Sequence, residues 1–249
     1  MSGHSKWATI KHKKGAADAK RGKLFAKLIR LVEVAARNGG GDPDMNPTLR
    51  TMYQKARDAS VPLDTIERAI KRGTGELEGV DYEEVTYEGY APGGVAVMVE
   101  TLTDNRNRTG SEVRSVFTKQ GGSMAEPGAV AWQFQRKGIV LVPVAADEDE
   151  VMMTALEAGA EDVAEAGDFW SVTCEAAETG DVRAALEEAG ITVESSDLTM
   201  VATSVMEISS ADEAKPVLRL IEALDELDDV QHVHANADMS DEVALALES

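Results

Sequence analysis

Residues 85–102 have the sequence VTYEGYAPGGVAVMVETL, in which two runs rich in apolar and β-branched residues flank the turn Ala-Pro-Gly-Gly. Strand-forming residues on both sides of a turn rich in proline and glycine are typical of a β-hairpin. The stretch therefore predicts strands at 85–90 and 95–102, joined across residues 91–94. It also decides the fold class, because helical periodicity precedes it and alternating strands and helices follow it.

Three helices are predicted before this hairpin. The first covers residues 16–37, whose apolar residues recur at helical spacing along one stripe that includes Leu24, Leu28, Leu31 and Ala35. Asn46 followed by Pro47 predicts the N-cap and first turn of a second helix. A third helix starts after Pro62 and ends at Gly73. Residues 1–15 are polar and basic without apolar periodicity, so we expect them to be a mobile arm in the absence of a partner.

Helices and strands alternate after the hairpin. Helices are predicted at 105–120, 149–158, 177–189 and 211–227, and strands at 130–134, 139–144, 169–174, from 191, at 200–208 and at 230–235. Interleaved elements with short connections predict sheets covered by helices on one side. We therefore expect an α+β, multidomain fold. It has a three-helix domain at 1–78, a discontinuous ferredoxin-like sandwich at 79–136 and 207–249, and a second ferredoxin-like sandwich inserted at 137–206.

Charge is distributed unevenly along the 249 residues, whose net charge is −20. Residues 1–75 contain sixteen Lys and Arg against seven Asp and Glu, whereas residues 141–249 contain three against twenty-eight. Such asymmetry indicates a polyanion-binding region attached to an acidic body, which also favours solubility. Surface fields decay over a Debye length of about 8–10 Å at physiological salt, so the body need not cancel the attraction of the basic end.

A basic stripe is predicted on the first helix, opposite its apolar stripe. Its members lie within an arc of about 100° on a helical wheel; they are Lys20, Lys23, Lys27, Arg30 and Arg37. The arm ahead of it contributes Lys6, Trp7, Lys11, His12, Lys13 and Lys14. A basic helix preceded by a basic arm with an aromatic residue indicates binding to a nucleic-acid backbone. The alternative for the basic stripe is a solvated helix face, although few acidic residues interrupt the basic residues of the arm and the first helix. Trp7 either stacks on a base or packs on the helices.

The turn at residues 103–109, Thr-Asp-Asn-Arg-Asn-Arg-Thr, is the second candidate contact region. Asp104 or Asn105 is suited to cap the following helix. Arg106 and Arg108 lie in its first turn, where the helix dipole disfavours cations. We therefore expect the two arginines to have an anionic partner, either an internal carboxylate or a phosphate.

Signatures of an enzyme, a metal site or a membrane protein are missing from the sequence. The four histidines occur without a Cys-x-x-Cys or His-Glu-x-x-His pattern, so no metal, other cofactor or small-molecule substrate is expected. The single cysteine, Cys174, excludes an internal disulfide. Apolar runs are far shorter than the roughly 20 residues of a membrane helix, and the N-terminus lacks a signal segment. These features predict a cytoplasmic, non-enzymatic protein.

Several motifs resemble the YebC/PmpR family. They are GHSKW at 3–7, KHKK at 11–14, IERAIKRG at 66–73, YEGYAPGGVAV at 87–97, TDNRNRT at 103–109, and GG at 121–122 leading to VAW at 130–132. Because they are numerous and in the right order, the resemblance is specific and covers essentially the whole chain. The chain departs from the family at Ala91, where glycine is expected. Its loop at 123–127 is less glycine-rich and less neutral than the family's, which puts a nucleic-acid contact there in doubt.

The resemblance implies a helical N-terminal domain and two α+β domains, one inserted in the other, in a cytoplasmic bacterial protein. Some members are described as DNA-binding transcriptional regulators and others as ribosome-associated translation factors, and the mitochondrial relatives are translational activators. In the second function the arm would insert among ribosomal RNA phosphates and the acidic domains would face tRNA or protein partners. A lysine-rich arm suits this function, and no helix with base-reading Arg, Asn or Gln stands out. The prevailing family description nevertheless favours DNA-binding regulation.

Overall fold

The computed structural model describes residues 18–240 together with Val243 and Leu247. Its α-helices are α1 (Asp18–Gly39), α2 (Pro47–Asp58), α3 (Leu63–Gly73), α4 (Arg106–Lys119), α5 (Glu148–Glu157), α6 (Thr179–Glu188) and α7 (Ala211–Asp225). Its strands are β1 (Glu83–Tyr90), β2 (Ala96–Thr103), β3 (Ser123–Met124), β4 (Phe134–Pro143), β5 (Ala160–Ala166), β6 (Phe169–Glu175), β7 (Ser195–Ala202), β8 (Met206–Ile208), β9 (Val230–Ala235) and β10 (Ala237–Met239). The predicted α+β fold class is confirmed.

Helices α1, α2 and α3 pack around one apolar core, in which Val32 and Ile66 are fully buried. Asn46 caps α2 as predicted, since its Oδ1 accepts a hydrogen bond from the Leu49 N–H at 3.0 Å. Its Nδ2 donates to the carbonyl oxygen of Ala35 in α1 at 2.8 Å. One polar side chain therefore both starts α2 and fixes it to α1.

The hairpin predicted from residues 85–102 is confirmed as β1 and β2, which pair antiparallel throughout. Its turn is a short 3-10 helix, Pro92–Gly94. Gly93 and Gly94 have φ of 81° and 85°, in the left-handed region that residues with a Cβ seldom occupy. The paired glycines therefore let the two strands join through a compact turn.

Strands β3 and β9 complete the first sheet, whose order is β3-β1-β2-β9. Helices α4 and α7 cover one face, where Val97, Val99, Phe117 and Leu220 are fully buried. Strand β9 pairs antiparallel with β2, although more than a hundred residues separate them in the sequence. Strands β8 and β10 pair in parallel as a small additional sheet.

The second sheet has the order β5-β6-β4-β7, with antiparallel neighbours. The chain order β4-α5-β5-β6-α6-β7 gives it the connectivity of a ferredoxin-like sandwich. Its core includes the fully buried Val140, Val172 and Leu186 and is distinct from the core of the first sheet. Each sheet is therefore stabilised by its own apolar residues.

Three strand predictions are wrong in detail. The strand expected from residue 191 begins only at Ser195, as β7. Residues 130–134 contain a 3-10 helix, Ala131–Gln133, and β4 begins at Phe134. The strand predicted at 200–208 is interrupted between β7 and β8, where the Thr203 N–H donates to the Gln133 carbonyl oxygen at 2.7 Å. Strand β5 was not predicted, because its sequence AEDVAEA has few strand-forming residues.

A buried carboxylate explains why residues 128–131 do not form a strand. Glu88 of β1 accepts hydrogen bonds from the backbone N–H groups of Gly128 at 2.6 Å, Val130 at 2.7 Å and Ala131 at 2.8 Å. Burial opposes ionisation of this side chain, but the three donors hold the pKa of Glu88 below its ordinary value. The Glu88 carboxylate therefore accepts the backbone hydrogen bonds that residues 128–131 would otherwise donate to a neighbouring strand.

We expect Glu88→Gln to lower the free energy of unfolding by about 2 kcal/mol. The amide has one acceptor oxygen, whereas the ionised carboxylate has two. Urea denaturation measures the change. The matched control is Glu84→Gln, an exposed carboxylate on the same strand, for which little change is expected. Equal effects of the two substitutions would show that the bonds to residues 128–131 do not stabilise the fold.

Candidate nucleic-acid interface

The candidate residues of the basic arm lie outside the described part of the chain: Lys6, Trp7, Lys11, His12, Lys13 and Lys14. Lys20 belongs to α1, but its side chain is not among those described. The structure therefore places Lys23, Lys27, Arg30 and Arg37 of the basic stripe and the turn residues Arg106 and Arg108. Nucleic-acid binding by any of them stays a prediction.

The basic stripe of α1 meets an acidic segment that begins at the last residue of α7. This acidic segment is residues 225–229, Asp-Glu-Leu-Asp-Asp. Lys23 Nζ lies 2.5 Å from Glu226 Oε2, and Lys27 Nζ lies 3.4 Å from Asp225 Oδ1. Two predicted phosphate contacts are therefore paired with carboxylates of the same chain.

Arg30 continues this pairing along α1. Its Nη1 donates to Asp229 Oδ1 at 3.0 Å and to the Asp228 carbonyl oxygen at 2.6 Å. Its guanidinium carbon lies 5.8 Å from the centroid of the Tyr82 ring, a cation–π contact. The two lysines likewise donate to the carbonyl oxygens of the residues whose carboxylates they meet. Each cation thus takes one carboxylate and one carbonyl oxygen.

The position of the acidic segment strengthens its attraction for cations. The last carbonyl groups of a helix carry a partial negative charge, so acidic residues there are unfavourable without a cation nearby. Helix α7 ends at Asp225 and has no basic residue in its last turn. The cations of α1 therefore supply the positive charge that α7 lacks.

Asp229 is the centre of this contact and is only 3% exposed. Its Oδ2 accepts hydrogen bonds from Thr109 Oγ1 at 2.6 Å, Arg108 Nη2 at 2.7 Å and Thr103 Oγ1 at 3.1 Å. Its Oδ1 accepts from Arg30. A single carboxylate therefore joins α1, the end of β2 and the first turn of α4.

The partners of Asp229 keep it ionised. Burial opposes its charge, but the hydrogen bonds from Arg108, Thr109 and Thr103 hold the pKa of Asp229 below its ordinary value. In turn, the hydrogen bonds to Asp229 and Asp104 raise the pKa of the Arg108 guanidinium. Both groups are therefore charged across the physiological pH range.

The two turn arginines differ in their partners. Arg108 lies 2.7 Å from a carboxylate oxygen of Asp104 and 2.7 Å from one of Asp229. Its anionic partner is therefore internal, one of the two expected alternatives, and Asn105 caps α4. Arg106 is exposed and forms no ion pair with any residue in the range 18–240. A phosphate remains the predicted partner for Arg106.

Further ion pairs connect the N-terminal helices to the rest of the chain. Glu33 of α1 is 2% exposed and lies 3.5 Å from Arg37, whose Nη1 also lies 3.0 Å from an oxygen of Asp81. Lys55 of α2 pairs with Asp197 of β7. Ion pairs therefore connect the N-terminal unit to the segment before β1 and to the second sheet.

A cleft of about 630 Å³ lies between α1 and the first sheet. Its lining includes Tyr82, Asp104 and Glu112 in addition to cations and acids of the contact. Among the side chains that the structure describes, no three His, Cys, Asp or Glu groups are placed to hold a metal ion. No helix in the same part of the chain is long and apolar enough to cross a membrane.

Sequence reasoning missed the acidic segment and Asp229, although a signal for them was present. Acidic residues at the C-terminal end of one predicted helix are as unfavourable as Arg106 and Arg108 at the N-terminal end of another. Unfavourable charges of opposite sign at two helix ends indicate that the acidic residues pair with cations and the arginines pair with anions elsewhere in the chain. Glu33 gave no such signal, because its burial depends on how α1 and α3 cross.

Two family models match the chain. One, described as the TACO1/YebC protein N-terminal domain, matches residues 5–76. The other, described as the TACO1/YebC second and third domain, matches residues 82–237. Together they span the basic helices, the hairpin, both sheets and the acidic segment.

The chain is also similar to full-length bacterial proteins. One from Rubrobacter xylanophilus is 60% identical over 98% of this chain and 98% of the relative. One from Thermobifida fusca is 56% identical, again over 98% of each chain. Both are named probable transcriptional regulatory protein. A crystal structure of a conserved hypothetical protein from Aquifex aeolicus has a TM-score of 0.83 and 49% identity, covering 91% of this chain and 93% of that one.

We expect Asp229→Asn to lower the free energy of unfolding by about 3 kcal/mol, because two arginines lose a buried charged acceptor. The folded-state pKa of Asp229 is lowered, so its stabilisation is present above the ordinary aspartate pKa. It is lost as the pH falls through the folded-state pKa, where the carboxylate takes up a proton. The stability difference between wild type and variant should therefore shrink in acid.

Urea denaturation over a series of acidic and neutral pH values measures this difference. The matched control is Asp228→Asn, which neutralises the exposed neighbouring aspartate. Little loss is expected from it at any pH. A wild-type advantage that stays constant into acid, or an equal loss in the control, would contradict the assigned role of Asp229.

Proposed function

We propose that this chain, which belongs to the TACO1/YebC family, is a DNA-binding transcriptional regulatory protein that acts through its basic N-terminal region. The name shared by its relatives supports a regulatory role. Beyond this regulatory role, we propose that the partner is DNA and that the arm and α1 contact it. The proposal also takes the protein to act in the cytoplasm by binding, without a cofactor and without catalysis.

The observation that carries the proposal is the concentration of positive charge at one end of an acidic chain. Sixteen of the 25 Lys and Arg lie in residues 1–75. In α1, Lys23, Lys27 and Arg30 all hold anionic carboxylates on one side of the helix. Phosphate oxygens accept the same charge-assisted hydrogen bonds, so the stripe has the chemistry of a phosphate-binding surface.

Lysine outnumbers arginine in the arm and along the stripe. An ammonium group binds phosphate as a point charge, whereas the planar guanidinium is better suited to bidentate recognition of a base. Phosphate contacts position a protein on a duplex without reading its sequence. This surface is therefore proposed to supply affinity, with a steep dependence on salt concentration.

Ribosomal RNA is the second candidate partner, and the lysines of the arm favour it. Lys11, Lys13 and Lys14 lie close together in a polar segment without apolar periodicity. Such a segment can follow an irregular phosphate surface as well as a regular duplex. In that case the protein would act in translation through the same basic residues.

We expect the triple substitution Lys23→Gln, Lys27→Gln and Arg30→Gln to weaken binding to a DNA duplex. Each lost phosphate contact removes about 0.9 from the slope of log affinity against log salt, so the slope should fall by about 3. Glutamine avoids placing new negative charge against the acidic segment. Fluorescence anisotropy with a short labelled duplex at several salt concentrations measures the slope.

The matched control removes the same number of positive charges from exposed positions in the acidic half: Arg183→Gln, Lys215→Gln and Arg219→Gln. Its salt slope should equal that of the wild type. Failure of the wild-type chain to bind a duplex at low salt would contradict the proposed function. An unchanged slope in the stripe variant would place the contact elsewhere.

A further inference from the structure

We propose that the acidic segment occupies the phosphate-binding positions of the α1 stripe and that a nucleic acid must displace it to bind there. The inference rests on the proposed function, because it concerns how the same stripe is made available. It assigns to residues 225–229 the role of an intramolecular competitor. Binding then depends on the balance between two polyanions, one inside the chain and one outside it.

The match between stripe and segment is the first argument. Lys23, Lys27 and Arg30 are spaced four and three residues apart and so lie on one side of α1. Each meets both a carboxylate oxygen and a backbone carbonyl oxygen of the acidic segment. Negatively charged oxygens at successive positions along a helix are also what a phosphate backbone presents. The acidic segment therefore occupies the same cationic side chains that a phosphate backbone would bind.

The polar character of the contact is the second argument. The apolar core of the three N-terminal helices and the core between α4, α7 and the first sheet are separate clusters. Lys23 and Glu226 keep 39% and 56% of their side-chain surfaces exposed. Exposed ion pairs such as this one are weak and are screened by salt, whereas Arg30 and Asp229, with 21% and 4% of their side-chain surfaces exposed, form the more buried end of the contact. Separating the stripe from the segment therefore leaves both cores intact.

The connection between the two units is the third argument. Residues 74–81, which link α3 to the first sheet, are all exposed. The remaining links described above, Arg37 to Asp81 and Lys55 to Asp197, are ion pairs as well. The N-terminal unit can therefore move relative to the first sheet by exchanging ionic partners.

Asp229 differs from the other acids of the segment. It is bonded to Thr103, Thr109 and Arg108 within the first sheet and its helix, and it holds the end of β2 whether or not α1 is in place. Asp225 and Glu226 direct their carboxylates at Lys27 and Lys23, and Asp228 is exposed. The competing charge can therefore be removed while Asp229 is retained.

The test is the triple variant Asp225→Asn, Glu226→Gln and Asp228→Asn in the full chain, titrated with a short mixed-sequence DNA duplex. We expect its affinity to exceed that of the wild type by about tenfold, because Lys23 and Lys27 no longer face carboxylates, while Arg30 keeps its pair with Asp229. The control variant, Glu157→Gln, Glu165→Gln and Glu188→Gln, changes the net charge equally at exposed positions of the second sheet unit. It should gain much less. Thermal unfolding confirms that both variants are folded.

A second measurement follows the contact directly. A carbodiimide, which joins an amine to a carboxylate without a spacer, should crosslink Lys23 to Glu226 in the free protein, and mass spectrometry identifies the peptide pair. Addition of saturating duplex should reduce the yield of this crosslink. Equal affinity of the two triple variants, or a crosslink yield that the duplex leaves unchanged, would overturn the inference alone. Absence of binding by the wild type and by both variants would overturn the proposed function and this inference with it.

Discussion

The hydrogen bonds and ion pairs of the Asp229 carboxylate are the interactions on which the packing of α1, β2 and α4 depends. The carboxylate is buried where three parts of the molecule meet, and its partners come from α1, the end of β2 and the first turn of α4. A buried charge is stable only when its hydrogen-bonding capacity is met, and here two arginines and two threonine hydroxyls meet it. Through Arg30, this group holds the basic helix against the end of the first sheet.

Opposite electrostatic irregularities at two helix ends produce this arrangement. Helix α4 begins with cations, and α7 ends with anions, although each helix would favour the reverse. The irregularities compensate one another through Arg108 and Asp229, and the excess negative charge of the acidic segment attracts the cations of α1. A surface that holds carboxylates in this way is also suited to phosphate, which connects the fold to the proposed function.

Much of the fold could be predicted because it depends on local sequence. The Asn46-Pro47 start of α2, the hairpin around Pro92 and Asn105 at the start of α4 are set by neighbouring residues, and all three are confirmed. The strand predicted at 130–134 is wrong because a distant carboxylate, Glu88, binds that backbone. The basic stripe could be read from helical spacing, but its internal partners could not, since they come from residues about two hundred positions away.

Crosslinking the protein to nucleic acid in living cells tests most directly whether the basic N-terminal region binds DNA. The bound nucleic acid is then sequenced, and the crosslinked peptides are mapped by mass spectrometry. We expect DNA fragments attached to peptides from the basic arm and α1. Recovery of ribosomal RNA in place of DNA, or of crosslinked peptides confined to the acidic half of the chain, would contradict this expectation.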